Sequence, residues 1–492
     1  MTDDAEDRLL REIADKGGVS VAAFGVERAL SLAFSVGVTA AFGAAVYGYL
    51  SVFRRARTVL EELLTGLTSG HSRTIPRWET AGQRSVLFAS LLLVVGLALS
   101  LGVAVAALSG RIPAYTLFSP RHRTALLVFA VGLLPTVCLS YAASALRAYR
   151  QVRRSVFVSR VVRPGAVVAG AGAAAAAGAG SVTAVWLAVV AALAAAAVAV
   201  MAVLPRCVPL AATLDRPAAV RDFMTYAAST SLVGLLGASQ RQAVFLLTAV
   251  ALSPVSAGLF SLSLLVAGVV RWPLKGVNRA LSAVVAELHG DGESAAIGRL
   301  YRRTSRVAAF VAVPIVVVVT PHYRPLLRAV SPAYEVGLIV LPLAVAGQFV
   351  AVVAGSNGLV LLMTDNERPT AALHAVHAAV VLPVMIAFTQ WYGVVGLGAA
   401  YAFSLCFNNA TELLLLRRLE GIRLLTVGHA ALAALCCGGV LVGLALVARA
   451  PVAVSLPVAA ALAVGIAAFA HRVVLSPADR RAVGAMLRPD RR

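Results

Sequence analysis

Apolar segments about twenty residues long follow one another from near the N-terminus to near the C-terminus, separated by short polar connections. Their boundaries predict fourteen helical spans: 18–42, 45–68, 85–109, 124–147, 156–178, 183–204, 223–251, 257–286, 307–327, 334–363, 370–390, 393–416, 424–448 and 452–472. The second is the most polar, with Arg54, Arg55, Arg57, Glu61 and Glu62 inside it. The fifth, "GAVVAGAGAAAAAGAGS", is low in bulk and suits close approach of neighbouring helices. No connection is long enough to hold an inserted soluble domain.

Composition sharpens that pattern into a class. Of 492 residues, 60% are hydrophobic and 13% charged, and the mean hydropathy is +0.87. A soluble domain cannot hide so much apolar surface, so the expected fold class is an all-α polytopic membrane protein of about fourteen transmembrane helices. The opening "MTDDAEDRLLREIADK" is acidic and lacks the short apolar core of a removable signal peptide, so it reads as a cytosolic lead-in. Five cysteines, Cys138, Cys207, Cys406, Cys436 and Cys437, lie in or beside apolar segments without metal-ligand spacing. They predict neither a disulfide framework nor a metal site, and no cofactor is expected.

The net charge of +21 would suggest nucleic acid in a soluble protein. Here it is mostly topology. With the N-terminus inside, 28 Lys and Arg fall on cytosolic segments and 6 on outer loops, which predicts both termini in the cytosol and removes the need for a nucleic-acid partner. Nine basic residues remain within the spans: Arg28, Arg54, Arg55, Arg57, Arg163, Arg241, Arg271, Lys275 and Arg279. The carboxylates read in the same spans are Glu27, Glu61, Glu62 and Glu335, with Asp222 and Glu287 at the edges. Charge at mid-bilayer costs on the order of 2.5–3.5 kcal/mol per residue, so such groups face a bundle interior or an aqueous cavity. The expected cavity is cationic.

Three of those cations, Arg271, Lys275 and Arg279, stand at i, i+4 and i+8 in "RWPLKGVNRA" and share one helical stripe. They could be snorkelling at a helix end. However, the apolar stretch 257–270 covers only 14 residues, about 21 Å of helix against a core of ~30 Å, so the span continues through the stripe. Pro273 and Gly276 lie beside it and would supply a bend. Arg28 and Arg241 each sit well inside the first span of a half. Glu27 is a candidate proton or Na⁺ site, with an ion pair to Arg28 as the plainer reading. Arg57 and Glu61 are i, i+4 partners, and the Arg54–Arg55 cluster suits a solvated or self-paired face better than a site. Asn409-Ala-Thr411 is a glycosylation sequon by pattern only, since it lies in an apolar span. Asp365 and Glu367, in "TDNERP", read as solvated turn residues.

An internal repeat is also legible. "VYGYLSV" from 46 aligns with "SAGLFSL" from 256, pairing Gly48 with Gly258 and Ser51 with Ser261 at an offset of 210. Both copies open the second span of a half, after a first span carrying a basic residue. The predicted halves are therefore parallel, a recurrent transporter plan.

Longer stretches extend the comparison. "SAGLFSLSLLVAGVVRWPLKGVNRALSAVVAELHGDGESAAIGRLYRRTSRVAAFVAVPIVVVV" resembles the polysaccharide flippases of the multidrug/oligosaccharidyl-lipid/polysaccharide superfamily, through its "GLFSLA"-like start, its "P-x-x-x-V-N-x-A-L" core and a charged loop ending "LYRRxxR". "LLRAVSPAYEVGLIVLPLAVAGQFVAVVAGSNGLVLLMTDNERPTA" and "WYGVVGLGAAYAFSLCFNNATELLLLRRL" are similar to the family's tenth helix and its "yGalGaAlat" helix. "GVERALSLAFSVGVTAAFGAAVYGYLSV" resembles its first helix, with Ala40 where a second Arg is usual and "AVYG" in place of "PEDYG".

The resemblance implies two six-helix bundles around a central cavity that work by alternating access. The implied domain plan is a cytosolic segment 1–17, a bundle 18–204, a cytosolic linker 205–222, a bundle 223–418, two additional helices in 419–474 and a basic tail 475–492. The implied substrate is an oligosaccharide on a polyprenyl or dolichyl phosphate or pyrophosphate, crossing the cytoplasmic membrane, with H⁺ or Na⁺ as candidate coupling ion and membrane lipid around the prenyl tail. Arg28, Arg241, Arg271, Lys275 and Arg279 would hold the anionic head, with Arg54, Arg55 and Glu27 as further cavity residues and Pro273 and Gly276 as the hinge. A peptidoglycan-precursor flippase shares the pyrophosphate chemistry. A multidrug antiporter would need more intramembrane carboxylates. A membrane glycosyltransferase or polymerase would need an acidic motif or a large outer loop, so no enzymatic activity is expected.

Overall fold

The computed structural model describes residues 25–477, 479, 480 and 483. Among them every regular element is helical: α1 (Gly25–Phe42), α2 (Ala44–Leu63), α3 (Thr65–Thr74), α4 (Thr80–Leu108), the short α5 (Ile112–Tyr115), α6 (Arg123–Ala148), α7 (Val152–Phe157), α8 (Arg163–Ala176), α9 (Val182–Val203), α10 (Pro217–Ala251), α11 (Pro254–Ala267), α12 (Trp272–Gly290), α13 (Ser294–Val319), α14 (Tyr323–Val330), α15 (Val340–Ala354), α16 (Asn357–Met363), α17 (Glu367–Glu420), α18 (Val427–Arg449) and α19 (Val452–Val473). The expected all-α polytopic class is what the chain adopts.

Ten helical segments are long and apolar enough to cross a membrane, eleven if α13 and α14, bent by 66°, make one broken span. Two more membrane-length stretches, α2 with α3 and α10, are more polar than those ten. The 54-residue α17 is in fact two arms that turn at Gly393, whose φ of 56° and ψ of −133° suit glycine alone. His377 lies against Ser404 and Asn366 against Glu420, so the arms run antiparallel as a hairpin with a one-residue link. Among the described residues helices lie along all fourteen stretches read from the sequence, while ten or eleven segments, with α17 taken as one, have the length and hydropathy of a membrane span.

Packing divides the chain into a unit of Ala23–Ser261 and a unit that includes Leu262–Arg492. In the first, α6 packs against α4 and α9, and α10 lies along α3 and α2. This grouping takes α10 with the N-terminal helices, whereas the repeat-based plan puts a boundary at 205–222. An aromatic cluster seats α2: Phe53 stacks 4.9 Å from Phe118, 5.1 Å from Phe129 and 5.2 Å from Trp186. His71 of α3 sits 2.8 Å from Ser90 of α4 and 2.9 Å from Ser144 of α6, tying three helices together. In the second unit, α13 contacts α12, α15, α18 and α19, and α15 packs on α17.

The two repeat-related glycines meet each other. At the crossing of α2 and α11, a Cβ on Gly48 would overlap the Pro254 carbonyl, and one on Gly258 would lie 3.0 Å from the Ala44 oxygen and 3.3 Å from Gly48 Cα. Three residues on, Ser261 donates to Ser51 Oγ at 3.1 Å. The two residue pairs that the repeat aligns are thus in contact with each other.

Candidate functional site

In the first unit the intramembrane charges are partly buried and form ion pairs between helices. Glu27 of α1 pairs with Arg160, a partner that the sequence did not suggest. Arg160 reaches it from a π-turn, Val158–Val162, wedged between α7 and α8. A π-turn adds a residue to the helical circuit and turns the following face, a feature common at functional positions. Just beyond it, Arg163 reaches Glu61 at 2.7 Å, and Arg57 approaches the same carboxylate from its own helix at 3.5 Å. One carboxylate thus serves two guanidinium groups, and Arg57 Nε and Nη1 are buried without a hydrogen-bond partner.

Phe53 in the aromatic core fixes the rotation of α2 and points its neighbours away from that core. Arg54 lies 4.6 Å over Phe34 with Nη2 donating to Ser31 Oγ at 3.4 Å, and Arg55 lies 3.9 Å over Phe245. Arg54, Arg55 and Arg57 are all partly buried, and Arg57 lies 3.5 Å from Glu61 on its own helix. Two small cavities lie among these charged residues. One, of about 130 Å³, is lined in part by Glu61, Thr68, Ser140, Ser144, Arg147 and Arg163, polar enough and large enough for ordered water. The other, of about 40 Å³, lies between Glu27, Ser31, Arg54, Arg57 and Arg163. Arg28 is partly buried on α1. Arg241 lies on α10, and its side chain is outside the described residues.

In the second unit the α-helix is interrupted just ahead of Pro273. The α-helix stops at Ala267, a 3₁₀ turn runs Gly268–Arg271, and α12 begins at Trp272 with Pro273 in its first turn, where a missing N–H costs nothing. The apolar span itself covers Pro254–Lys275, so Arg271 and Lys275 fall within it. They differ in setting. Arg271 buries its Nε without a hydrogen-bond partner, whereas Lys275 is exposed. The side chains of Gly276 and Arg279 lie outside the described residues.

Glu412 was overlooked among the carboxylates read in the spans, although it lies within 393–416. It is only 4% exposed, on the second arm of α17. Asn408 donates to its Oε1 at 3.0 Å, and His374 of the first arm stands 3.8 Å from the same oxygen. Gly358 comes so close that a Cβ there would lie 3.1 Å from Oε1. Arg271 is within electrostatic reach of the carboxylate. The signal was present in the spacing: Ser404, Asn408 and Glu412 at i, i+4 and i+8 face His374 and His377 at i, i+3 across the hairpin. Beside this ladder, Asn357 donates to Asn409 Oδ1 at 3.3 Å, and Asn409 Nδ2 donates to the Leu405 carbonyl at 2.7 Å. The sequon asparagine is thus buried in helix packing. Asp365, in the polar turn, has a left-handed φ of 58° and lies 3.5 Å from His289.

No protein-family model matches the chain, and no curated protein sequence matches it. Solved structures do. The inward closed conformation of the lipid II flippase MurJ is 10% identical, with 92% of this chain and 97% of that one covered at a TM-score of 0.70. An inward-facing multidrug resistance MATE family transporter of the MOP superfamily is 14% identical over 80% of this chain and 94% of its own, at 0.66. A MOP superfamily transporter from Pyrococcus furiosus, noted for the reverse polarity of its binding pocket, is 15% identical over 84% and 98%, at 0.53. At these identities the likeness is one of fold. The chain has the architecture of MOP superfamily transporters, the superfamily to which the sequence resemblance points, and is a multi-pass membrane protein.

Proposed function

We propose that the protein is a flippase that moves a lipid-linked oligosaccharide across the cytoplasmic membrane by alternating access, with both termini cytosolic. The observation that carries this reading is a surplus of donor capacity on intramembrane guanidinium groups. In the first unit Arg57 shares Glu61 with Arg163 and buries Nε and Nη1 without a hydrogen-bond partner, and in the second Arg271 buries an unbonded Nε. A membrane protein retains such a surplus where an anion completes it, and guanidinium groups match phosphate oxygens in a bidentate fork. Arg28, Arg241, Arg271, Lys275 and Arg279 are the proposed head-group residues, with Arg54, Arg55 and Glu27 supporting them. The 3₁₀ turn before Pro273 and the nearby Gly276 supply the bend. The prenyl tail stays in lipid while the head crosses.

The test is flipping of fluorescent lipid-linked oligosaccharide in proteoliposomes, alongside a lipid-linked peptidoglycan precursor and a cationic dye. Wild type should move the oligosaccharide. Arg271→Ala should slow it about 10- to 150-fold, the equivalent of one charge-assisted contact of about 1.5–3 kcal/mol. Undiminished flipping in Arg271→Ala and Lys275→Ala removes the reading. Movement of the peptidoglycan precursor alone selects that substrate, and movement of the dye alone selects the antiporter.

A further inference from the structure

The ladder between the arms of α17 is not used by the reading above, which rests on cations. It holds the groups that a proton needs. Glu412 is buried, and its partners from each packed element are on the page: Asn408 and His374 from the two arms of α17, Gly358 from α16, the Tyr301 ring from α13, and Arg271 from the turn before α12. Tyr301 commits its hydroxyl to the Ala354 carbonyl at 2.6 Å, and Lys275 lies one turn beyond Arg271. His377 continues the ladder, with Nε2 3.2 Å from Ser404 Oγ, stacked on Phe407 and with its Nδ1 buried and unpartnered. His374 is the accessible member, its side chain 36% exposed against 6% for Glu412.

Arg271 buries an Nε without a hydrogen-bond partner, and Glu412 is a carboxylate within its electrostatic reach. An anionic head group that engages Arg271 takes that compensation from Glu412 and adds a like charge nearby. A buried carboxylate that loses its cation is stable only as the neutral acid. Ladders of Glu and His within membrane helices commonly serve as proton paths.

We infer that Glu412 is the proton-coupling site of the transporter: it takes up one proton as a phosphate or pyrophosphate head group binds Arg271 and gives it back as the head group leaves. The proton comes from water by way of the His374 imidazole, which accepts one on Nδ1 and passes one on from Nε2, ending neutral in its other tautomer and resetting by tautomer exchange through water. This inference rests on the proposed role of Arg271 as a head-group ligand.

The experiment uses the full chain in nanodiscs with undecaprenyl pyrophosphate as probe, its affinity measured between about pH 5 and 8 and its proton uptake read with an indicator dye in weak buffer. Wild type should take up about one proton per lipid bound. Its affinity should then fall about tenfold per pH unit once Glu412 is ionised in the free protein. Glu412→Gln should bind with the low-pH affinity at every pH and take up no proton, while Glu412→Asp restores both dependences. A flat pH profile in wild type, or equal uptake in Glu412→Gln, overturns the inference and leaves the flippase reading standing. If the probe does not bind, it is the flippase reading that fails. The proton site is then judged by infrared spectroscopy of the protein alone. A protonated-carboxyl band that titrates in wild type, vanishes in Glu412→Gln and shifts in Arg271→Ala upholds it, and absence of that band overturns it.

Discussion

Replacing Gly48 with alanine places a methyl group on the carbonyl of Pro254, at the point where α2 and α11 cross. The obstacle is backbone, so no side chain can swing away and the helices must part. Overpacking of this kind costs about 1–3 kcal/mol. Parting also strains the Ser51–Ser261 hydrogen bond, worth about 1 kcal/mol. The better helix propensity of alanine returns at most about 1 kcal/mol. The net expectation is a loss of about 1–3 kcal/mol. Gly258→Ala should cost less, because its Cβ meets Ala44 O at 3.0 Å and the Tyr47 ring edge at 3.1 Å, contacts that a few tenths of an ångström relieve. Gly37→Ala, where nothing lies within 4 Å, should be neutral or slightly stabilising. The double variant at 48 and 258 should lose less than the sum, since one displacement accommodates both methyl groups. Thermal melting of detergent-solubilised protein, followed by size-exclusion chromatography, gives the order directly. A Gly48→Ala protein that melts with Gly37→Ala refutes the close crossing.

Two further outcomes follow from the second unit. Gly393→Ala forces a side chain onto a backbone with φ 56° and should cost about 1–3 kcal/mol, seen as a lower melting temperature, with an unchanged melt counting against the hairpin turn. Asp479 is fully buried, accepts from Arg306 Nε and Nη2 at 2.8 Å and lies 3.7 Å from Arg303. Asp479→Asn leaves two guanidinium groups facing a neutral amide, a penalty on the order of 3–5 kcal/mol, so trypsin should cut at Arg480 at least tenfold faster than in wild type. Equal cleavage rates would show that the ion cluster does not hold the segment.

The spans were legible because an all-apolar stretch of membrane length needs no partner to be recognised. Charges are different, since their meaning depends on which helix stands opposite. Glu27 has Arg28 beside it in sequence, but the π-turn brings Arg160 to it, a partner that no linear spacing announces. Glu412 is hidden for a related reason: its spacing with Ser404 and Asn408 gains meaning only once His374 is found across the hairpin. The Gly48–Gly258 match looked thin as seven aligned letters. It gains its weight only from the contact, because two copies of one motif need not touch.

The Gly393 turn sets the mechanical behaviour of the ladder. A flexible connection of ten residues would leave the arms of α17 free to slide by a helical turn of about 5.4 Å. A connection of one residue leaves no slack, and Gly396 is already so close that a Cβ would overlap the Phe388 carbonyl. The two arms therefore behave as a folded ruler locked at its joint. They can tilt together, but the graduations on one stay opposite those on the other, so His374 remains in register with Glu412 through any stroke that carries the hairpin as a whole.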